Sequence, residues 1–333
     1  MTHSSEHLRM TSKRARLAAA RREPAPAADP DPRRRALLGA VSAVATGALL
    51  PRDAGAQFGA GDVVYVPTPQ VVVNRMLAMA RVGPADFVMD LGSGDGRQLI
   101  TAVAKFGARG GMGFDLDEDL LKTAMANARR EGVADRVRFM HGNLFDADLA
   151  QASVVTLYLL PELNLKLRPK LFAELRPGAR VVSHDYAMGN WRAEESVTIQ
   201  VPEKQVGTPG VSYVYLWIMP ANLSGRWQWS LPDGRQAEGE IRQSLQVVDL
   251  RLALPGARAA EVSLATLRGE ELRATVQVED ANGRRIRHDF LGRLRGDTLQ
   301  GTVRVHDRGE RTLPWKAVRT GGRAATLDPQ GES

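Results

Sequence analysis

Residues 86–100 read DFVMDLGSGDGRQLI. An apolar run closes on Asp90, glycines follow at 92, 94 and 96, and the apolar residues that resume suit a helix. A strand that turns through glycines directly into a helix commits the chain to parallel strands, because the helix must fold back over the sheet before the next strand begins. The flanking sequence repeats the alternation. Strand patterns occupy 86–91, 111–116, 136–143, 153–160 and 179–186, and helical patterns 96–106, 117–130 and 163–175, the last disturbed at Pro169. A helix over 68–82 precedes the first strand, with Val72, Met76 and Met79 at helical spacing. Segments 195–201 and 211–219 read as a closing pair of strands.

The expected fold class is therefore α/β, with a Rossmann-like sheet of seven strands over residues 57–220. In such sheets the ligand lies beyond the carboxyl ends of the strands. A dinucleotide-binding turn spaces its glycines G-x-G-x-x-G, whereas here the spacing is G-x-G-x-G and Asp90 stands just before it. A phosphate would meet that carboxylate. A ligand with an ammonium group beside its own carboxylate would use it, and the methionine end of S-adenosylmethionine (SAM) has both groups and no phosphate. On this reading Gly92, Ser93, Gly94 and Gly96 bring backbone N–H groups close to the amino-acid end, and Asp90 faces the ammonium. Asp115 ends the second strand where an acid grips ribose hydroxyls or, alternatively, caps the following helix. Asn143 ends the third strand and can accept from an adenine amino group, with Leu116 and Leu144 on either side of the ring. For the glycines alone, a tight turn without a ligand is the plain alternative. Three polar residues at the ends of three successive strands weigh against it.

Residues 63–191 resemble the broad-specificity protein-lysine methyltransferases of archaea and their mitochondrial relatives, a class I SAM-dependent group. The segments YVPTPQVVVNRML, DLGSGDGR, VVTLYLLPELNLKLRPKLFAELRPGARVVSHDY and, more loosely, YVYLW carry the likeness. The third is the most diagnostic, since the glycine motif fits most SAM enzymes. The resemblance implies a methyltransferase-type sheet, SAM as cofactor and an amine acceptor, foremost a protein lysine. It implies that Tyr65, Pro67 and Thr68 wall the methionine side of the cofactor, with Gln98 nearby. Where other amino-methyltransferases carry Asn-Pro-Pro-Tyr, this chain has Leu159-Leu160-Pro161. Such a loop has no side-chain acceptors for a planar amine; Leu160 and Pro161 suit a channel for a lysine chain. His184 and Asp185, at the end of the fifth strand, are the one nearby titratable pair for a proton relay, although His184 also reads as a structural residue. A small-molecule amine is the alternative acceptor, and a SAM-binding module without turnover is the alternative from another class.

From residue 222 onward the pattern changes to apolar–polar alternation in GRWQWSL, EIRQSLQVV, ELRATVQVE, RIRHDFLGRL, DTLQGTVRV and TLPWKAV, with turn signals between them. This predicts a small antiparallel all-β domain over 221–320, a barrel or a sandwich, then a disordered tail over 321–333. Trp227, Trp229 and Trp315 read as core. No histidines or acids cluster at ligand spacing, and the chain has no cysteine, so no metal site is expected.

The formal charge of +7 suggests nucleic acid until it is located. Residues 1–56 hold ten of the 45 basic and five of the 38 acidic residues, so five of the seven net positive charges lie there. The remainder is close to neutral and gives no support for a nucleic-acid partner. In residues 33–56, Arg33-Arg34-Arg35 precedes an apolar stretch from Ala36 to Leu50, followed by Ala54-Gly55-Ala56. The stretch is shorter than the roughly 20 residues of a membrane span and reads as a twin-arginine signal peptide with a cleavage site. It predicts an exported, periplasmic protein that meets a membrane only through this leader. Residues 1–56 thus read as a disordered basic leader carrying this signal; a cytoplasmic protein with a disordered basic tail, whose apolar part packs as an ordinary helix, is the alternative, and it fits the cytoplasmic origin of SAM.

Overall fold

The computed structural model describes residues 65–230 and 236–328. The expected leader, with its twin-arginine and cleavage patterns, lies outside them.

Seven strands make the first sheet: β1 (Phe87–Leu91), β2 (Gly110–Asp115), β3 (Val137–His141), β4 (Val154–Leu157), β5 (Arg180–His184), β6 (Glu195–Gln200) and β7 (Val211–Ile218), in the order β3-β2-β1-β4-β5-β7-β6. β1 to β5 are parallel, and β7 runs antiparallel between β5 and β6. The order reverses beside β1, so the ends of β1, β2 and β4 open a crevice at the point where a ligand is expected. Helices α1 (Gln70–Met79), α2 (Arg97–Ala104), α3 (Glu118–Arg130) and α4 (Pro161–Glu174) connect or flank these strands. One apolar cluster packs α1 and α2 against the sheet through Val72, Met76, Leu77, Leu99 and Val103. The other holds α4 through Leu167 and Leu171, with Trp191 and Trp217.

Two elements differ from the sequence reading in length. β4 stops at Leu157, three residues early, since Pro161 opens α4 and Tyr158–Leu160 must leave the ladder to reach it. α4 runs through Pro169 without a break. A proline there costs one backbone bond, and the buried Leu167 and Leu171 on either side keep the helix against the sheet.

The second sheet has eight antiparallel strands: β8 (Gly225–Ser230), β9 (Gln236–Ser244), β10 (Val247–Ala253), β11 (Ala257–Arg268), β12 (Glu271–Asp280), β13 (Arg285–Arg295), β14 (Thr298–His306) and β15 (Glu310–Gly321), in the order β10-β9-β8-β15-β14-β13-β12-β11. It is one curled layer, since its edge strands β10 and β11 meet across the short 254–256 link. Among the described residues it is not a two-sheet sandwich. The run 240–248, which looked like one strand, is split by a turn at Leu245, whose φ is +54°. β10 and β11 were not foreseen, because LALPGARAA lacks clean alternation. Trp227 and Trp229 are buried in the core of this layer and Trp315 packs at its edge.

Residues 322–328 are folded, contrary to the disordered tail expected from 321. The Ala324 N–H donates to Ser224 Oγ at 3.1 Å, the Leu245 N–H donates to the Leu327 carbonyl at 2.8 Å, and Asp328 is buried.

The tightness of the first sheet is testable at Gly111. An added Cβ there would lie 2.3 Å from both the Val88 carbonyl oxygen and Leu99 Cδ1. Gly111→Ala is expected to destabilise the protein by about 2 kcal/mol, seen as a lower midpoint in a urea melt followed by tryptophan fluorescence. An unchanged midpoint would show that β1, β2 and α2 do not meet as described.

Candidate active site

Asp90, the fourth residue of β1, is fully buried. Its Oδ1 accepts a hydrogen bond from Thr156 Oγ1 of β4 at 2.7 Å, while its Oδ2 has no partner. Burial pushes the carboxyl up to about 8; the Thr156 hydrogen bond opposes the shift, and the nearby charges of Asp115 and Asp95 add to it.

The glycine turn that follows differs from the expected cradle of N–H groups. Gly92, Gly94 and Gly96 take φ of +81°, +52° and +79°, which side-chain-bearing residues rarely adopt. Their N–H groups turn inward. Those of Gly92 and Ser93 donate to the Phe114 carbonyl, that of Gly94 to Asp115 Oδ2 at 2.7 Å and that of Gly96 to Ser93. The glycines serve close approach: a Cβ at Gly94 would lie 2.4 Å from the Tyr65 ring, and one at Gly96 2.6 Å from Phe139. Ser93 Oγ and Gln98 Oε1 join Asp90 Oδ2 as buried oxygens with no hydrogen-bond partner.

Asp115 also accepts from the Asp117 N–H. Asp117, not Asp115, caps α3, accepting from Asp119 and Leu120. That frees Asp115 to tie the end of β2 to the glycine turn, half-exposed at the crevice. Asn143 is exposed, and its Oδ1 caps a short 3₁₀ turn by accepting from Phe145 at 3.0 Å. Leu116 is exposed and Leu144 half-buried, at the ends of adjacent strands. Before α1, Tyr65 lies against Gly94, Pro67 is exposed, and the buried Thr68 is anchored where Arg97 Nη1 donates to its carbonyl at 2.9 Å.

On the other side of Asp90, Leu159 packs on Gly92, Leu160 is the exposed N-cap of α4 and Pro161 its first residue. His184 is buried with both ring nitrogens engaged: Nδ1 lies 3.2 Å from Thr68 Oγ1, and Nε2 lies 2.9 Å from Ser212 Oγ. Burial holds its pKa down at about 4, so the ring is neutral at neutral pH. Asp185 accepts from Lys204 Nζ at 2.5 Å and from the Tyr213 N–H at 3.0 Å. The pair thus braces the end of β5, the structural role that His184 also suggests in the sequence, and offers no free proton acceptor for a relay.

Three residues were passed over in the sequence. Tyr158 and Tyr186 have near-parallel rings with centroids 6.4 Å apart, and Tyr158 also lies 4.0 Å from the His184 ring. Asp185, at φ +62°, turns the chain so that Tyr186 comes back beside Tyr158. Asn164 of α4 donates to the Tyr186 carbonyl at 3.2 Å, and its Oδ1 is buried without a partner. The two tyrosines follow strand ends in the sequence, a signal that marks them only once β4 and β5 are known to be neighbours.

A model of the ANTKMT methyltransferase domain family matches residues 90–195. A protein-lysine N-methyltransferase of Saccharolobus islandicus is 43% identical over 138 residues, which are 41% of this chain and 86% of that protein. The chain belongs to the protein-lysine N-methyltransferase family. An adenine nucleotide translocase lysine N-methyltransferase of Mus musculus is 35% identical over 39% of this chain, and the match spans 56% of that protein. The chain spans about half the length of this and other animal relatives. A solved structure described as an RNA methyltransferase from Salinibacter ruber, in complex with S-adenosyl-L-homocysteine, is 50% identical over 46% of this chain and 93% of that one, with a TM-score of 0.41. This methyltransferase uses SAM as cofactor. Its residues fit that cofactor on their own terms: an unpartnered buried carboxyl oxygen suits an ammonium, and Asp115 stands at the crevice for hydroxyl groups.

The Asp90 carboxyl sets a pH dependence. Below about pH 8 it is protonated in the empty site, and an entering ammonium must expel that proton. Affinity for S-adenosylhomocysteine, measured by calorimetry, is expected to rise with pH by up to about tenfold per unit between roughly 6 and 8 and then level off. Asp90→Asn should bind more weakly and lose the slope. A flat profile for the unaltered protein would remove Asp90 from the ammonium.

Proposed function

We propose that this methyltransferase transfers the methyl group of SAM to the side-chain nitrogen of protein lysines. What carries this is the aromatic and apolar acceptor side: Tyr158 and Tyr186 with near-parallel rings at the ends of β4 and β5, beside Leu159-Leu160-Pro161. Apolar walls hold the four methylenes of a lysine, and aromatic faces attract its cationic end. A planar base would ask for side-chain hydrogen-bond partners, which this loop lacks. Likeness to relatives named for lysine methylation supports the same acceptor.

Bound SAM supplies an electrophilic methyl group on a sulfonium. The chain aligns the acceptor and strips water from it. Asp90 would hold the ammonium of the cofactor and Asp115 the ribose hydroxyls, and Asn143 would accept from the adenine amino group. Among the described residues no free base faces the slot: His184 is held on both nitrogens, and burial with the Asp185 charge pushes the Tyr158 hydroxyl up to about 12. Loss of the lysine proton then follows from desolvation, which disfavours an ammonium.

Labelled SAM incubated with the protein and a mixed protein extract should place label on lysine nitrogens. Label only on small molecules or on RNA would overturn the proposal. Tyr158→Ala should raise the acceptor KM by about tenfold or more, in keeping with loss of a ring contact of about 1–2 kcal/mol, whereas Tyr158→Phe keeps the ring and stays near the unaltered enzyme. Equal effects of the two substitutions would take the ring face out of acceptor binding.

A further inference from the structure

The last described residue of the chain reaches back to the first sheet. Arg168, in the middle of α4, has a wholly buried side chain whose guanidinium is engaged along several edges. Its Nε and Nη2 donate to Asp328 Oδ2 and Oδ1, both at 2.8 Å, and the Asp328 side chain is equally buried. Its Nη1 donates to the Met188 carbonyl at 2.9 Å and to Asn190 Oδ1 at 2.6 Å.

Met188 and Asn190 belong to the loop that leaves Tyr186. One turn earlier on α4, Asn164 holds the Tyr186 carbonyl, and the helix itself begins at Pro161. Arg168 therefore ties both acceptor-side segments, the start of α4 and the loop 186–191, to one carboxylate. Two more contacts bring the second sheet to that loop. Leu245, at the β9–β10 turn, joins the apolar cluster of Trp191, and Gln246 Nε2 donates to the Arg192 carbonyl at 2.7 Å. The Leu245 N–H bond to the Leu327 carbonyl fixes the segment that carries Asp328.

A buried guanidinium needs a counter-charge, and a two-pronged carboxylate also fixes the plane of its fork. The plane matters here because Nη1, at another corner of the fork, holds the loop. The family match ends at residue 195, so Arg168 lies in the family part and its partner far beyond it. We propose that Asp328 is a positioning residue for methyl transfer: the C-terminal module completes the acceptor side by orienting Arg168. This rests on the acceptor entering beside Tyr158 and Tyr186.

The test uses the full chain, Asp328→Asn, Asp328→Glu and the double variant Arg168→Met/Asp328→Leu. Kinetics with a lysine acceptor, affinity for S-adenosylhomocysteine and hydrogen exchange in 160–168 and 186–192 are measured for each. Asp328→Asn should raise the acceptor KM about tenfold, leave cofactor affinity within about twofold and speed exchange in 186–192. Asp328→Glu should restore part of both. The double variant replaces the buried pair by apolar groups, which spares the fold, yet cannot hold Met188 or Asn190. It should share the acceptor defect, and it decides the matter if Asp328→Asn does not fold. Acceptor KM and exchange that match the unaltered protein would overturn the proposal, as would cofactor affinity falling in step with acceptor KM. Exchange is read without an acceptor. An unaltered protein inactive on lysine would therefore sink the proposed function and leave the exchange data to decide the role of Asp328.

Discussion

A fully buried carboxyl group, Asp90, governs the arrangement of the crevice. Three strand ends converge on it: β1 carries it, β4 supplies the Thr156 hydroxyl, and β2 supplies Asp115, which is tied to the glycine turn just beyond. Burial keeps the group protonated up to about pH 8. The folded state then binds this proton more tightly than the unfolded chain does. The stability that this proton gives is present at low pH and is lost as pH rises from about 4 to about 8. On the proposed reading, an ammonium entering the site offsets that loss by pairing with the ionised form. Binding and folding would thus be coupled through one oxygen, Asp90 Oδ2, that nothing among the described residues satisfies.

The same constraint explains why the glycine turn is built as it is. A loop that aimed its N–H groups outward would suit a phosphate. Here they are spent on Phe114, Ser93 and Asp115, so the turn is rigid and its outer surface is close-packed. The missing Cβ atoms admit Tyr65, Leu159 and Phe139. On the proposed reading, specificity for a zwitterion comes from the acid beneath the turn, and the glycines bring neighbouring side chains close to it.

The elements of the first sheet were legible because they follow from local patterns: apolar strands, helical spacing, and a turn that only glycine permits. The positions of Asp90 and Asp115 at the ends of β1 and β2 were legible for the same reason. The turn's hydrogen bonding was not, because sequence gives no direction for an N–H group. His184 and Asp185 were placed correctly at the end of β5, but their partners Thr68, Ser212, Lys204 and Tyr213 lie 19 or more residues away, and those partners decide their role. Tyr158 and Tyr186 gain meaning only as a pair, and Arg168 only with Asp328, a separation of 160 residues. Long-range pairings of polar residues leave no periodic trace. In the second sheet, β10 and β11 escaped notice because Pro255-Gly256 and a run of small residues blur the two-residue period.

Among the described residues, four buried or half-buried groups around the acceptor side are neutral or paired. His184 is held neutral, the Tyr158 hydroxyl is protonated at any ordinary pH, Asp185 is matched by Lys204, and Arg168 by Asp328. Such buried pairs are weak sources of stability, since desolvation consumes most of the attraction. Their consequence here is electrostatic. An unpaired carboxylate beside the slot would stabilise an ammonium and keep its proton on. An unpaired guanidinium would repel the ammonium before it arrived. With both charges cancelled inside the protein, an amine that enters beside the tyrosines, as proposed, meets ring faces and apolar walls, and its charged form is disfavoured by the lack of solvent alone. Dedicated base catalysis is then unnecessary, and the braces that look purely structural are what keep the acceptor side uncharged.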